Sequence, residues 1–268
     1  MLKYYVFDPA GNVTLLVDTY VKTKDQVRVA AELMKREPFC EQAGFVRVCG
    51  HNGKPEGHLR MAGGEFCGNA SMCTAVLKRV KEKNNGIFNS YPDGIDVSVS
   101  GTKGKVNVRV TESGEGIWAA SGTMPWPKAI GEITVDGRKL PYVDCGGIVH
   151  VIFSEKPDRK KAERQIKKAC EEYSLKALGF MYLSGNVLEP LVYVNDMGTM
   201  YWENACASGT AAAAAWLAEN SETKKAEGEW KEPGGSISFR ADAEKKYVTL
   251  GTKIRLVKGP VTVDNLEF

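Results

Sequence analysis

The sequence predicts a mixed α and β fold built from two related halves. Three observations carry that prediction. The order Gly-led strand, helix, strand, loop, cysteine, helix occurs twice. The step from Gly11 to Gly147 nearly equals the step from Cys67 to Cys206. In both halves the cysteine stands just before a helix that opens on small residues. Similarity at one long internal period points to duplicated half-domains. Chance recurrence of a common α/β order is the alternative, and the two matching cysteine-led helix starts argue against it.

The chain opens on Met1-Leu2-Lys3-Tyr4-Tyr5-Val6-Phe7-Asp8, which lacks a signal-peptide layout and reads as a strand entering the fold. Asp8-Pro9-Ala10-Gly11-Asn12 marks a turn, and Val13 to Val17 is β-branched enough for a second strand. Thr23-Lys24-Asp25-Gln26 has the form of a capping box, followed by a helical face of Val27, Ala30, Ala31 and Met34. Phe45 to Val48 reads as a strand and Gly50 to Arg60 as a polar, Gly-rich loop containing His51 and His58. After Met61-Ala62-Gly63-Gly64-Glu65-Phe66-Cys67-Gly68-Asn69, the apolar residues Met72, Ala75, Val76 and Val80 fit a helix.

Pro125-Trp126-Pro127 breaks regular structure and reads as a linker between residues 1–126 and 127–252. In the second half, Ile148 to Phe153 is a strand, and Asp158 caps a helix with Ile166, Ala169, Cys170 and Tyr173 on one face. The basic run 159–168 is that helix's wet side. Strands at Phe180–Leu183 and Leu191–Val194 lead to Trp202-Glu203-Asn204-Ala205-Cys206-Ala207-Ser208-Gly209-Thr210 and an alanine-rich helix. Strands at Tyr247–Leu250, Ile254–Val257 and Val261–Val263 end the chain, and residues 253–268 return to the first half.

Composition narrows the function. With 36 basic and 33 acidic residues the net charge is only +3, which gives no argument for nucleic acid or a membrane surface as partner. No apolar run reaches the roughly eighteen residues that a spanning helix needs. The expected partner is a small molecule. Seven cysteines, unevenly spaced, read as reduced thiols of a cytoplasmic protein. With no Cys-x-x-Cys pair and no His-x-x-x-His pair, no metal site is expected.

A helix start offers unpaired backbone N–H groups and partial positive charge. Two such starts can clamp a carboxylate, and their dipoles lower the pKa of a thiol placed there. Thiolate at Cys67 or Cys206 could remove an α-proton from one face of an amino acid while the other thiol returns a proton to the opposite face. Inversion of a stereocentre needs equivalent groups on two sides, which a duplicated sequence supplies. No usual Gly-rich phosphate loop and no lysine motif for a Schiff base is present, so no cofactor is expected. Cys40, Cys49, Cys73, Cys145 and Cys170 read as buried structural thiols. His150, between apolar neighbours, reads as a hydrogen-bonded structural histidine.

These motifs resemble the diaminopimelate epimerase superfamily, which includes proline racemases and phenazine-type isomerases. Gly11-Asn12 is similar to its N-terminal Gly-Asn-Asp-Phe signature. Glu65-Phe66-Cys67-Gly68-Asn69 and Ala205-Cys206-Ala207-Ser208-Gly209 are similar to its two catalytic motifs. The resemblance implies an α+β fold of two pseudo-symmetric half-domains, each a β-barrel-like sheet around a central helix, with the site in the cleft between them. It implies a cofactor-free, two-cysteine racemase or epimerase and, by family analogy, a homodimer. Carried over by position, the backbone N–H groups of Gly68, Asn69, Ser208 and Gly209 hold the α-carboxylate, Glu203 holds the α-amino group, and Asn12 faces the far end of the substrate. Glu65 and Gln42 are further candidates for substrate contact.

The epimerases carry an arginine after the glutamate, where this chain has Asn204, and Ile148 replaces an asparagine. Losing both argues against a zwitterionic far end. The forms Ala-Gly-Gly-Glu-Phe-Cys-Gly-Asn-Ala and Glu-Asn-Ala-Cys resemble the metallophore-type histidine racemases. Histidine is therefore the leading substrate and diaminopimelate the second. The rival classes are an acid-dependent phenazine-type isomerase, a non-catalytic amino-acid-binding protein, and a redox protein that joins Cys67 to Cys206.

Overall fold

The computed structural model describes residues 1–51, 54–87, 89–195 and 198–264. Two compact units divide the chain: Met1–Thr123 with the stretch from Gly251 onward, and Met124–Leu250.

The first unit contains β1 (Leu2–Pro9), β2 (Thr14–Val17), α1 (Thr23–Arg36), β3 (Gln42–His51), β4 (Lys54–Met61), α2 (Gly68–Asn84), β5 (Ile95–Val99), β6 (Lys105–Gly114) and β7 (Ile117–Met124). The final strand, β16 (Tyr247–Val263), completes it. The strands follow the order β1-β2-β3-β4-β5-β6-β7-β16, and β16 pairs back to β1, closing a barrel. Two neighbouring pairs are parallel, β2–β3 and β4–β5, and a helix spans each. Parallel neighbours require such a crossover. α2 fills the barrel and is buried at every position from Gly68 to Leu77, so it shows no single apolar face.

The second unit contains β8 (Ala129–Val135), β9 (Arg138–Asp144), β10 (Val149–Phe153), α3 (Arg159–Glu172), β11 (Ala177–Ser184), β12 (Val187–Val194), β13 (Thr199–Trp202), α4 (Ala207–Asn220), β14 (Lys225–Glu232) and β15 (Gly235–Asp242), then the first residues of β16. Its sheet path is β8-β9-β10-β11-β12-β14-β15-β16, with β13 on β12. The parallel pairs β10–β11 and β12–β14 repeat the crossovers of the first unit. α4 is the counterpart of α2. Its run Ala211–Ala215 is buried throughout, and alanine combines high helix propensity with the small size that close packing requires. An aromatic cluster of Phe153, Phe180, Tyr182 and Trp202 packs around β10, β11 and β13.

Four expectations change. The capping box on Thr23 does not form: Lys22 occupies the cap position without a side-chain bond, and Gln26 instead donates to the Val21 carbonyl. The buried face of α1 is Gln26, Val29, Ala30 and Leu33, while Val27 and Ala31 are exposed. Two apolar stripes overlap in this helix, and the one holding the bulkier Leu33 turns inward. The described residues of Gly50–Arg60 are not a loop: β3 and β4 pair antiparallel there up to His51 and Lys54, and His58 is half-buried on β4. The side chains of Cys49 and His51 lie outside the described residues. The three predicted tail strands are one strand of 17 residues. No helix is long and apolar enough to cross a membrane among the described residues.

The expected cap on α3 is present, with Asp158 Oδ1 accepting the Lys161 N–H at 3.1 Å. Asp158→Ala should therefore lower stability by about 1 kcal/mol. Urea unfolding checks this, and an unchanged midpoint would show that the cap contributes nothing.

Candidate active site

Cys67 is the N-cap of α2. Its backbone is extended, and its sulfur accepts the Ala70 N–H at 3.3 Å. The thiol donates to Gln42 Oε1 at 3.1 Å. Gln42 opens β3 in register with Thr14 on β2, and its Nε2 donates to Asn12 Oδ1 at 2.6 Å and to Thr14 Oγ1 at 2.7 Å. Asn12 is buried; its Nδ2 donates to Glu41 Oε2 at 2.6 Å, and its Oδ1 also accepts from Asn69 Nδ2 at 3.0 Å. Among the predicted residues, Asn12, Gln42, Cys67 and Asn69 thus share one network, with Gly68 at the first helical position beside it. Glu65 is exposed, and its carbonyl accepts from Ser100 Oγ, which also binds the Met61 N–H. Ser100 thereby ties down the turn that leads into Cys67.

Cys206 repeats the arrangement as the N-cap of α4, with its sulfur accepting the Gly209 N–H at 3.3 Å. Gly209, expected as a carboxylate donor, directs its N–H to sulfur here. Ser208 Oγ lies 3.5 Å from Cys206 Sγ and 3.1 Å from His150 Nε2. Glu203 accepts from the thiol. Burial, followed by the charge of Glu203, holds the Cys206 thiol well above its ordinary pKa. The dipole effect expected from sequence has the wrong sign for this residue. A helix N-terminus is worth under about 1 kcal/mol to an exposed charge, whereas full burial shifts a pKa by up to about 3–5 units. Cys206 therefore rests as a thiol. Burial also pushes Cys40 and Cys145 up to about 12 and raises Cys73, as expected of structural thiols.

Two residues of these surroundings escaped the sequence reading. Thr14 has no motif. Glu232 accepts the Cys206 N–H at 2.7 Å, and its sequence signal was only the period-two alternation that turns it inward with Trp230. His150 reads correctly as hydrogen-bonded, but its partner Ser208 makes it a neighbour of the thiol. Its ring lies against Gly179, where a Cβ would come within 2.3 Å of Nδ1. Only glycine leaves room there.

Burial alone lowers His150 to about 3, so the imidazole is neutral. In the unfolded chain it titrates near 6.5. Unfolding therefore takes up a proton between pH 6.5 and 3, and stability falls as pH falls through that window, by up to about 1.4 kcal/mol per unit. Above 6.5 the contribution is fully present. Urea unfolding from pH 4 to 7 should show a shallower slope for His150→Gln than for the parent, and equal slopes would contradict the assignment. Among the described residues no group of three His, Cys, Asp or Glu side chains is arranged to hold a metal.

A family model described as the histidine racemase CntK N-terminal domain matches residues 1–263. A histidine racemase of Fusobacterium nucleatum is 32% identical over 259 residues, covering 92% of each chain. One from Staphylococcus aureus is 24% identical over 273 residues, covering 98% of this chain and 95% of that one. Among solved structures, a predicted epimerase from Pseudomonas aeruginosa aligns with a TM-score of 0.66 at 11% identity, over 98% of this chain and 100% of that one. A probable proline racemase from Agrobacterium radiobacter aligns with a TM-score of 0.59 at 11% identity, over 100% and 94%. At such identities the solved structures establish the two-unit epimerase-like fold alone. The family match over nearly the whole length and the relative above 30% identity show more: the chain belongs to the histidine racemase CntK family of isomerases.

Proposed function

We propose that this chain interconverts the two enantiomers of histidine without a cofactor, with Cys67 and Cys206 as paired base and acid at the α-carbon. One observation supports the cysteines above all others. Each unit has a cysteine as N-cap of its buried central helix, with the sulfur 3.3 Å from the N–H three residues on. Family membership supports the substrate.

The reaction balances without an outside reagent. A thiolate takes the α-proton and becomes a thiol, and the opposite thiol protonates the carbanion and becomes a thiolate. The enzyme is then set for the reverse direction. The carbanion's charge spreads into the α-carboxylate, which the N–H groups of Gly68 and Asn69 on α2 and of Ser208 on α4 would hold. The Gly209 N–H remains with its sulfur. Because Cys206 rests as a thiol, it would be the proton donor of the first half-reaction, and Cys67 would act as base once its proton, held toward Gln42, has left. Glu203 would take the α-amino group when substrate displaces it from the thiol, and the Asn12–Gln42 network would meet the imidazole. A cytoplasmic homodimer accompanies this reading, and light scattering on purified protein tests its size.

The decisive experiment incubates the protein with L-histidine and D-histidine in D₂O beside a panel that includes diaminopimelate. Chiral separation and NMR should show deuterated product of opposite configuration from histidine. Binding without α-deuteration would identify an amino-acid-binding protein instead, and preferred turnover of diaminopimelate would change the substrate.

A further inference from the structure

Glu232 is the last residue of β14, paired with Gly235 across the β14–β15 turn, and only 6% exposed. Its two oxygens are both engaged by the start of α4. Oε2 accepts the backbone N–H of Cys206 at 2.7 Å, and Oε1 bonds the Thr210 hydroxyl at 2.6 Å. The same turn makes a third tie, the Gly234 N–H to the Asn204 carbonyl at 2.8 Å. Among the described residues no cation pairs with this carboxyl. An isolated buried charge is costly, so a carboxyl kept there without a counter-ion is held for its geometry.

We infer that Glu232 is a positioning residue for Cys206, its carboxyl group tying the cysteine's backbone N–H to the Thr210 hydroxyl and so fixing where the thiol leaves the helix start. The inference rests on the reading of Cys206 as a proton-transfer group. Thr210 lies one turn into α4, so the clamp spans the whole segment that carries Cys206, Ser208 and Gly209.

The clamp also sets charge. Burial raises Glu232 to about 8. Neutral, it accepts from Cys206 at Oε2 and donates to Thr210 from Oε1. Ionised, it accepts from both. The backbone tie survives in either state, and only the charge beneath the thiol changes. The other titratable groups facing it are Cys206 and Glu203 on the approach to α4, with neutral His150 of β10 behind Ser208. Lys231 projects from the opposite, exposed face of β14. As pH rises through about 8, ionisation of Glu232 adds a negative charge near Cys206 and holds its thiol protonated to higher pH.

Two variants test this. Glu232→Gln keeps an acceptor for the Cys206 N–H and a donor for Thr210 but cannot ionise. Glu232→Leu removes both. The readouts are kcat and KM for histidine, and the pH dependence of iodoacetamide labelling at Cys206, followed by peptide mass mapping. Glu232→Leu should lower kcat by about 10- to 100-fold with KM changed little, as expected for a misplaced reacting group. Glu232→Gln should restore most of that loss and shift the labelling curve to lower pH by about one unit. A Gln labelling curve that overlies the parent's overturns the charge effect, and a Gln variant whose kcat falls by the full 10- to 100-fold overturns the positioning role, whether or not the Leu variant folds. So does a Leu variant with parental kcat. Labelling does not depend on turnover. If Cys206→Ser racemises normally the catalytic reading fails, yet the labelling curves still decide whether Glu232 governs this thiol.

Discussion

Replacing either Cys67 or Cys206 by serine is expected to slow racemisation of histidine by about 10²- to 10⁴-fold, the range spanned by a positioned proton-transfer group. A hydroxyl keeps the hydrogen-bonding pattern at the helix cap, because serine is itself a preferred N-cap, so folding should be preserved. The acidity is lost: an alcohol is far too weak an acid to be ionised near neutral pH, while a thiol is within reach. The two variants should fail in complementary ways. Each retains one thiol and so can still exchange the α-proton of the enantiomer that presents its proton to that side. In D₂O, Cys67→Ser and Cys206→Ser should therefore deuterate opposite enantiomers slowly, with little inverted product from either. Parental turnover in one variant would remove that cysteine from the reaction. Deuteration of the same enantiomer by both would exclude a two-sided mechanism.

The second large effect is expected at Gly209. A Cβ there would lie 2.1 Å from Met181 Sδ and 3.2 Å from Cys206 Sγ. Met181 is fully buried on β11, so its thioether cannot swing into solvent. Two terms oppose each other. Glycine to alanine inside a helix gains up to about 1 kcal/mol of propensity, and less in the first turn. Overfilling a packed core costs about 1–3 kcal/mol. The clash should win, so Gly209→Ala is expected to lose about 1–2 kcal/mol by urea unfolding. Activity should fall further than stability does. The sulfur accepts the Gly209 N–H, and a displacement near 1 Å at a reacting group can cost about 100-fold. Adding Met181→Ala should relieve the clash and recover part of the kcat lost. A Gly209→Ala protein with parental kcat would show that this close packing does not hold the thiol in place.

The repeated order of strands and helices was legible because each step rests on neighbours in sequence. Pro and Gly mark turns, Asp158 caps α3, and the β-branched runs are short and apolar. The half-domain pattern followed from two cysteine-led helix starts that need no tertiary information to recognise. The misreadings fall where local pattern is degenerate. In α1 two apolar stripes compete, and the packed barrel decides between them. In β3 and β4 glycine and charge suggested a loop, yet the two segments pair as antiparallel strands. In β16 the polar interruptions hid one long strand.

What the sequence determined by itself was the identity and placement of the two N-cap cysteines, since a cap, a small-residue helix start and a duplicated order are all written within a few positions. Only the tertiary structure decided how each thiol is held. Gln42 reaches Cys67 across 25 positions of chain, and Glu232 reaches Cys206 across 26. The acidity of Cys206 follows the same rule. It is set first by the water excluded around it, then by nearby Glu203 and by Glu232 on β14, and desolvation is a property of the folded surroundings that no local motif encodes.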